Sequence, residues 1–307
     1  MNRKQISLLS ISVPVLTLLL TSCETTEPAG GGGDDEQGPR LLSVKVLDYS
    51  PAPGQFVNEI PLYQDGDTRE TIRAKVEKAM NSGEMVTLGA FGGSITVKLK
   101  APVYASHDGS PELRILGNAF LYTPETAANP IGSAEPGIVM VMTDANGNGE
   151  PDDTWYVLKG DHFDQAVYTS ITYTDNSSAG DDKKFVKWED SQGNSGWLSH
   201  NVAYHNHGFF PQWELERTVT VEGLRLPDNG VYNEKTGNYD LSVYSGYADC
   251  WPNNSSRSGL SLSSAVTLEG QPVRVTRVDF IKVYTGILQN NGPLGECSTE
   301  VAGFQSL

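Results

Sequence analysis

Between positions 144 and 153 the chain reads DANGNGEPDD. Side-chain oxygens fall on alternate residues, Asp144, Asn146 and Asn148, followed by Gly149, Glu150, and the carboxylates of Asp152 and Asp153. A loop wrapped around one ion presents every second residue to it, and calcium takes six to eight hard oxygen ligands. Asp144, Asn146, Asn148, the Glu150 carbonyl and Asp152 fall on the first, third, fifth, seventh and ninth places of the EF-hand loop pattern. Gly149 stands where such a loop turns sharply. The twelfth place is Trp155 instead of a bidentate Glu, so Asp153, another strand or water must complete the shell. The flanks are strand-like, IVMVM (138–142) before and WYVL (155–158) after. The expectation is a structural Ca²⁺ ion that ties two strands together. Asn-Gly is itself a turn signal, so an ordinary polar hairpin turn is the competing reading.

Other residues could also do chemistry. Phe209, Phe210 and Trp213 (FFPQW), with Tyr247 and Trp251 (GYADCW), offer flat aromatic surface in loop-like sequence. Such surface suits a sugar ring or another bulky ligand, and core packing is the alternative for any one of them. His200, His205 and His207 lie close enough for a transition metal but are expected as structural histidines. Cys250 and Cys297 can pair in an exported domain, or stand as two free thiols. GAFGG (89–93) is followed by no Lys-Ser/Thr and is expected as a tight turn, not a phosphate loop. Neither a Gly-x-Ser-x-Gly elbow nor a HExxH motif occurs, so no catalytic residue is assigned and a binding protein is expected ahead of an enzyme.

The elements that must position these groups are mostly strands. Apolar alternation or short apolar runs mark strands near 41–47, 84–88, 94–99, 112–116, 137–142, 154–158 and 167–173. Others fall near 185–188, 218–224, 241–244, 265–268 and 273–284. The last carries two apolar neighbours, Phe280 and Ile281, which predicts a bulge or burial on both faces. One helix is expected, capped by Asp67 with Glu70 three residues on and ended by Gly83, its Ile72, Val76 and Met80 on one face. With 17 Pro and 32 Gly, this pattern predicts an all-β protein, a jelly-roll-like β-sandwich with one short packed helix and a calcium loop. Residues 41–307 are expected to form a single ligand-binding domain.

The N-terminus carries an address. Arg3 and Lys4 precede an apolar run over 6–20, then Leu20-Thr21-Ser22-Cys23. This is the arrangement of a bacterial lipoprotein signal, with 1–22 removed and Cys23 lipidated. Pro14 and the short apolar stretch disfavour a membrane-spanning helix. Residues 23–40, rich in Gly and acids, have nothing to bury and predict a flexible tether. Cleavage before Cys23 removes two basic residues and no acid, taking the formal charge from −16 to −18. That charge disfavours nucleic acid and anionic membrane surfaces as partners, leaving the lipid as the only membrane contact.

Several motifs together, YSPAPGQFVN (49–58), LGAFGGSITV (88–97), GNAF (117–120), SAEPGIVMVMTDANGNGEPDDTWYVLKG (133–160), FFPQW (209–213), GYADC (246–250), DFIKVYTG (279–286) and GECSTEV (295–301), resemble a family of Bacteroidetes cell-surface lipoproteins. Relatives are associated with loci for TonB-dependent uptake, including uptake of vitamin B12 and other corrinoids. The resemblance implies an outer-membrane, surface-exposed lipoprotein that captures a nutrient, a corrinoid first, for a TonB-dependent transporter. A glycan-binding lipoprotein is the alternative, and a polysaccharide-degrading enzyme a weaker one. Where that family ends GYAD with Asn, this chain has Cys250, which fits a disulfide particular to it.

Overall fold

In the computed structural model, described for residues 38–180, 184–199, 205 and 207–307, the frame is a six-stranded antiparallel sheet. Its strands run in the order Ala265–Val266, Tyr156–Leu158, Gly137–Met142, Arg277–Thr285, Ser94–Tyr104 and Val44–Ser50. Arg277–Thr285 sits centrally and is buried on both faces. Its pairing with Ser94–Tyr104 slips between Val278 and Phe280. Both outcomes read from the adjacent Phe280 and Ile281 therefore occur in one strand.

Each face of this sheet has its own core. On one, Val97, Val139, Val141, Ile281 and Val283 pack with Ile72, Val76 and Met80 of the helix Arg69–Ser82 and with Leu113, Ile115 and Phe304. On the other, Ile138, Val157 and Tyr284 pack with Ile171, Tyr173 and Leu224 of a four-stranded sheet. The period-2 alternation of the strand sends neighbouring residues into different cores. Each large apolar side chain buried this way contributes roughly 1.5–3 kcal/mol. The polar tips are bonded: Tyr284 Oη accepts the N–H of Leu224 at 3.0 Å, and Tyr173 Oη donates to Phe91 O at 3.0 Å.

The helix forms where its apolar spacing predicts, with Ile72, Val76, Ala79 and Met80 buried. Its cap is one residue later than expected. Thr68, not Asp67, takes the extended N-cap backbone, and its hydroxyl pairs with Thr71 in a reciprocal capping box. Asp67 is instead held by Lys75 at 2.5 Å. Gly83 ends the helix with its N–H on Ala79 O.

The protein is thus all-β with one α-helix among the described residues. Its strands divide among five sheets. Residues 38–307 form one compact unit, and no described helix is long and apolar enough to cross a membrane. The expected signal sequence over 1–22, the expected lipidation site Cys23 and nearly all of the expected tether over 23–40 lie outside the described residues.

Candidate functional site

Three carboxylates from distant parts of the chain meet at one point. Glu135 lies just ahead of the Gly137–Met142 strand, Asp249 in the GYADC turn, and Glu300 on the Glu300–Val301 strand. One oxygen of each lies within 4.8 Å of the others. Backbone bonds clamp the segments: Glu135 N–H donates to Asp249 O at 2.9 Å, and Gly137 and Ala248 exchange a pair at 2.9 and 3.1 Å. Glu300 N–H donates to Asp249 Oδ2 at 2.9 Å.

Most partners of these carboxylates donate, and the side chains of Glu135 and Glu300 also hydrogen-bond each other. Asp249 Oδ1 accepts the N–H groups of Asn118 and Ala119 at 2.8 and 3.0 Å. Glu300 accepts from Thr87 Oγ1, Ser298 Oγ and Asn118 Nδ2 at 3.0–3.2 Å. Glu135 Oε1 accepts Ser298 N–H at 3.0 Å. Asp249 holds a left-handed backbone at φ 55°, a conformation Asp tolerates better than most residues. Gly117 makes room for it, since a Cβ there would stand 2.3 Å from Asp249 Oδ1.

The electrostatics are one-sided. Among the described residues, none of these acids is in an ion pair with Lys or Arg. Two like charges under 5 Å apart, at an effective dielectric of about 20, repel by roughly 3 kcal/mol or more. Burial, then the charge of Asp249, pushes Glu135 up to about 8. Burial raises Asp249 to about 6 and Glu296 to about 7. Glu300 is raised too, by burial first and then by Glu135 and Asp249.

Glu135, Glu296 and Glu300 line a cleft of about 640 Å³, with Asn118, Tyr122 and Tyr239 among its walls. Exposed aromatic rings adjoin two of its lining residues, Tyr122 and Tyr239. Phe120 (50 % exposed) and Tyr122 (60 %) meet edge to face at 5.1 Å, and Tyr232 (52 %) meets Tyr239 at 5.4 Å. They are carried by a four-stranded sheet in the order Gly230–Asn233, Asn238–Ser242, Ile131–Ser133, Phe120–Leu121, or by its flanking residue Tyr122. A somewhat larger cleft, about 740 Å³, lies beside Tyr104, His107 and Arg274. Its one buried acid, Glu112, is fully engaged by Ser106 N–H and Leu262 N–H.

The 144–153 loop closes on its own oxygens. Gly149, at φ 79°, donates its N–H to Asp144 Oδ2 at 3.0 Å. Asn148 N–H donates to Asn146 Oδ1, and Glu150 N–H to Asn148 Oδ1. The side-chain amides of Asn146 and Asn148 donate to the two oxygens of Asp152, and Asp153 Oδ2 accepts from Ala145 and Asn146 N–H. Asp144 Oδ1 is buried with no hydrogen-bond partner. A metal ligand oxygen is left in that condition when the ion is out of the account, so the donor set fits an oxygen-coordinated cation. The loop joins Gly137–Met142 to Tyr156–Leu158 and is tied to the central strand through Asp144 N–H on Asp279 Oδ2 at 3.0 Å.

The remaining sequence candidates fall elsewhere. Phe209, Phe210, Trp213, Tyr247 and Trp251 are only 1–9 % exposed. Their rings fill the two cores instead of forming a binding face, because an aromatic-rich loop gains more by burying 150–250 Å² per ring than by holding it in water. Cys250 and Cys297 are both buried and both free thiols, so no disulfide joins them. Both belong to the same apolar cluster, and burial pushes both thiols up. His207 Nδ1 lies 3.0 Å from Glu59, which stands beside Phe56, the ring that His205 meets edge-on. His200 lies outside the described residues.

No protein-family model and no curated protein matches the chain.

Proposed function

We propose that this chain is a lipid-anchored protein of the bacterial outer membrane that captures a nutrient for a TonB-dependent transporter, with a corrinoid as the first candidate. The observation that carries the binding role is the cleft lined by exposed Tyr122, with exposed Phe120 packed against Tyr122 and exposed Tyr232 against the lining residue Tyr239. Flat rings beside a concave, polar-floored space suit a large ligand with apolar faces and polar rims. The lipobox at Cys23 and the resemblance to Bacteroidetes surface lipoproteins support the anchoring and the transporter. The same rings suit a saccharide, so a glycan is the second reading.

In this account one Ca²⁺ ion is held by Asp144, Asn146, Asn148, the Glu150 carbonyl, Asp152 and Asp153. Its role is structural: it fixes the turn between two strands of the central sheet. For the architecture, the packing of the six-stranded sheet on a four-stranded one supports a jelly-roll-like sandwich. The division into five sheets is propeller-like and counts against it.

Calorimetric titration of the full chain with cyanocobalamin and with a panel of oligosaccharides tests the reading. Saturable binding of the corrinoid alone supports the first candidate, and binding of a glycan alone supports the second. Binding of neither refutes nutrient capture. Loss of palmitate labelling in Cys23→Ala is the matching result for the anchor.

A further inference from the structure

The cleft floor holds more negative charge than its surroundings explain. Besides Glu135 and Glu300, Glu296 lines the same cleft at 1 % exposure. Its Oε1 accepts the N–H of Gln55 at 2.6 Å, and its Oε2 is buried with no partner at all. An ionised carboxylate oxygen sealed from water without a donor is among the costliest groups a fold can keep. Its charge acts on Glu135, and its burial beside the three converging acids is a second observation that the cleft lacks a positive partner.

Two things could relieve such a cluster, a proton shared between Glu135 and Glu300, whose side chains hydrogen-bond each other, or a cation that takes its place. A carboxylic acid needs an acceptor for its own proton. The groups turned toward Asp249 and Glu300 are backbone N–H groups, hydroxyls and an amide NH₂, assigned as donors. Asp249, held by three backbone N–H groups, is therefore built to be an anion. Anions this close in turn require a cation among them. An ionised carboxylate offers about four lone-pair positions. Glu135 commits one of these to Ser298 and a second to its contact with Glu300, and the remaining positions are open to an ion.

We propose that Glu135, Asp249 and Glu300 bind a calcium ion at the floor of this cleft, a second cation site separate from the 144–153 loop. The all-oxygen donor set selects a hard cation over zinc or copper. Oxygens within 4.8 Å of one another match the span across calcium, about twice its 2.3–2.6 Å bond length. Asn118, whose amide nitrogen now meets Glu300, is placed to turn its oxygen to the ion, and Glu296 adds a further negative charge on the same wall. The proposal stands apart from the identity of any nutrient in the cleft.

Equilibrium binding of radioactive calcium to the full chain tests it. In Asp144→Ala, with the loop disabled, one ion per chain remains bound. Adding Glu135→Gln, which keeps an acceptor for Ser298, weakens that ion by at least about tenfold, the lower end of what even an outer-shell partner contributes. If Asp144→Ala binds no calcium, or if the double variant binds it unchanged, the proposal is overturned. Should the double variant fail to fold, Asp144→Ala alone decides. A chain that binds calcium here and no nutrient refutes the capture role and leaves this site standing.

Discussion

Asp249 and Glu300 are locked together by a backbone N–H: that of Glu300 donates to Asp249 Oδ2 at 2.9 Å, so the strand that carries one acid positions the other. Glu135 joins from the opposite side, its N–H on the Asp249 carbonyl. Main-chain N–H groups hold the carboxylates of Asp249 and Glu135, and the side chains of Thr87, Ser298 and Asn118 hold that of Glu300, so the convergence is built into the fold.

That rigidity has a pH consequence. Glu135, Glu296 and Asp249 are raised to about 8, 7 and 6 from ordinary values of 4.5, 4.5 and 3.8. Between roughly pH 4 and 8 the folded chain keeps protons that the unfolded chain has released, so stability falls as pH rises through this window. The melting temperature in chelator should drop from pH 5 to pH 8, and calcium should restore it. A melting temperature that is flat or rising over that range contradicts the account.

At the loop, calcium that binds only the native chain stabilises it by about 2.7 kcal/mol at a hundredfold excess over Kd. Asp144→Ala removes the buried unpartnered Oδ1 and the acceptor of Gly149 N–H, so the loop's share of the calcium response should vanish. Calorimetric melting with and without chelator measures this. An undiminished response in the variant rules out the loop as a calcium site.

Trp213 and Trp251 should behave as core residues. Trp213 lies between the rings of Tyr49 and Tyr63 at 6.3 and 6.5 Å, and Trp251 is covered by Arg257 and bonded to Ser245 Oγ. Substitution of either by Ala should cost about 3–5 kcal/mol of stability. A loss under 1 kcal/mol in urea unfolding would show that the rings are not packed as described.

The thiols of Cys250 and Cys297 should be silent in the native chain and present in the unfolded one. Burial keeps both protonated and out of reach. Alkylation of the unreduced protein should label both after unfolding and neither before. No label after unfolding would reveal a bridge.

Much of the frame was legible in the sequence because it rests on local pattern. Val139, Val141, Ile281 and Val283 alternate, Ile72, Val76 and Met80 recur at helical spacing, and the 144–153 loop carries its oxygens in a fixed order. The acid cluster was not legible. Glu135, Asp249, Glu296 and Glu300 are separated by up to 165 residues in a chain with many acids, and only tertiary pairing brings them together. The short strands Phe120–Leu121, Ile131–Ser133 and Gly230–Asn233, which belong to the sheet that carries Tyr239 of the cleft wall, carry too few apolar residues to register as strands. The aromatic loops misled for a physical reason: Gly and Pro around Trp213 and Tyr247 mark irregular backbone, and irregular backbone can be buried when its polar groups are bonded, as Tyr247 Oη is to Asp161 O at 2.7 Å.

The central claim is that ligand is captured at the cleft mouth, and paired variants test it most directly. Calorimetric affinity for whichever nutrient binds the wild-type chain should fall at least about tenfold in Tyr122→Ala and in Tyr232→Ala, with melting temperature nearly unchanged because both rings are exposed. Trp251→Ala, assayed well below its own melting point, should keep the wild-type affinity. Wild-type affinity in both tyrosine variants, with the loss confined to Trp251→Ala, would place the ligand away from this cleft and contradict the account.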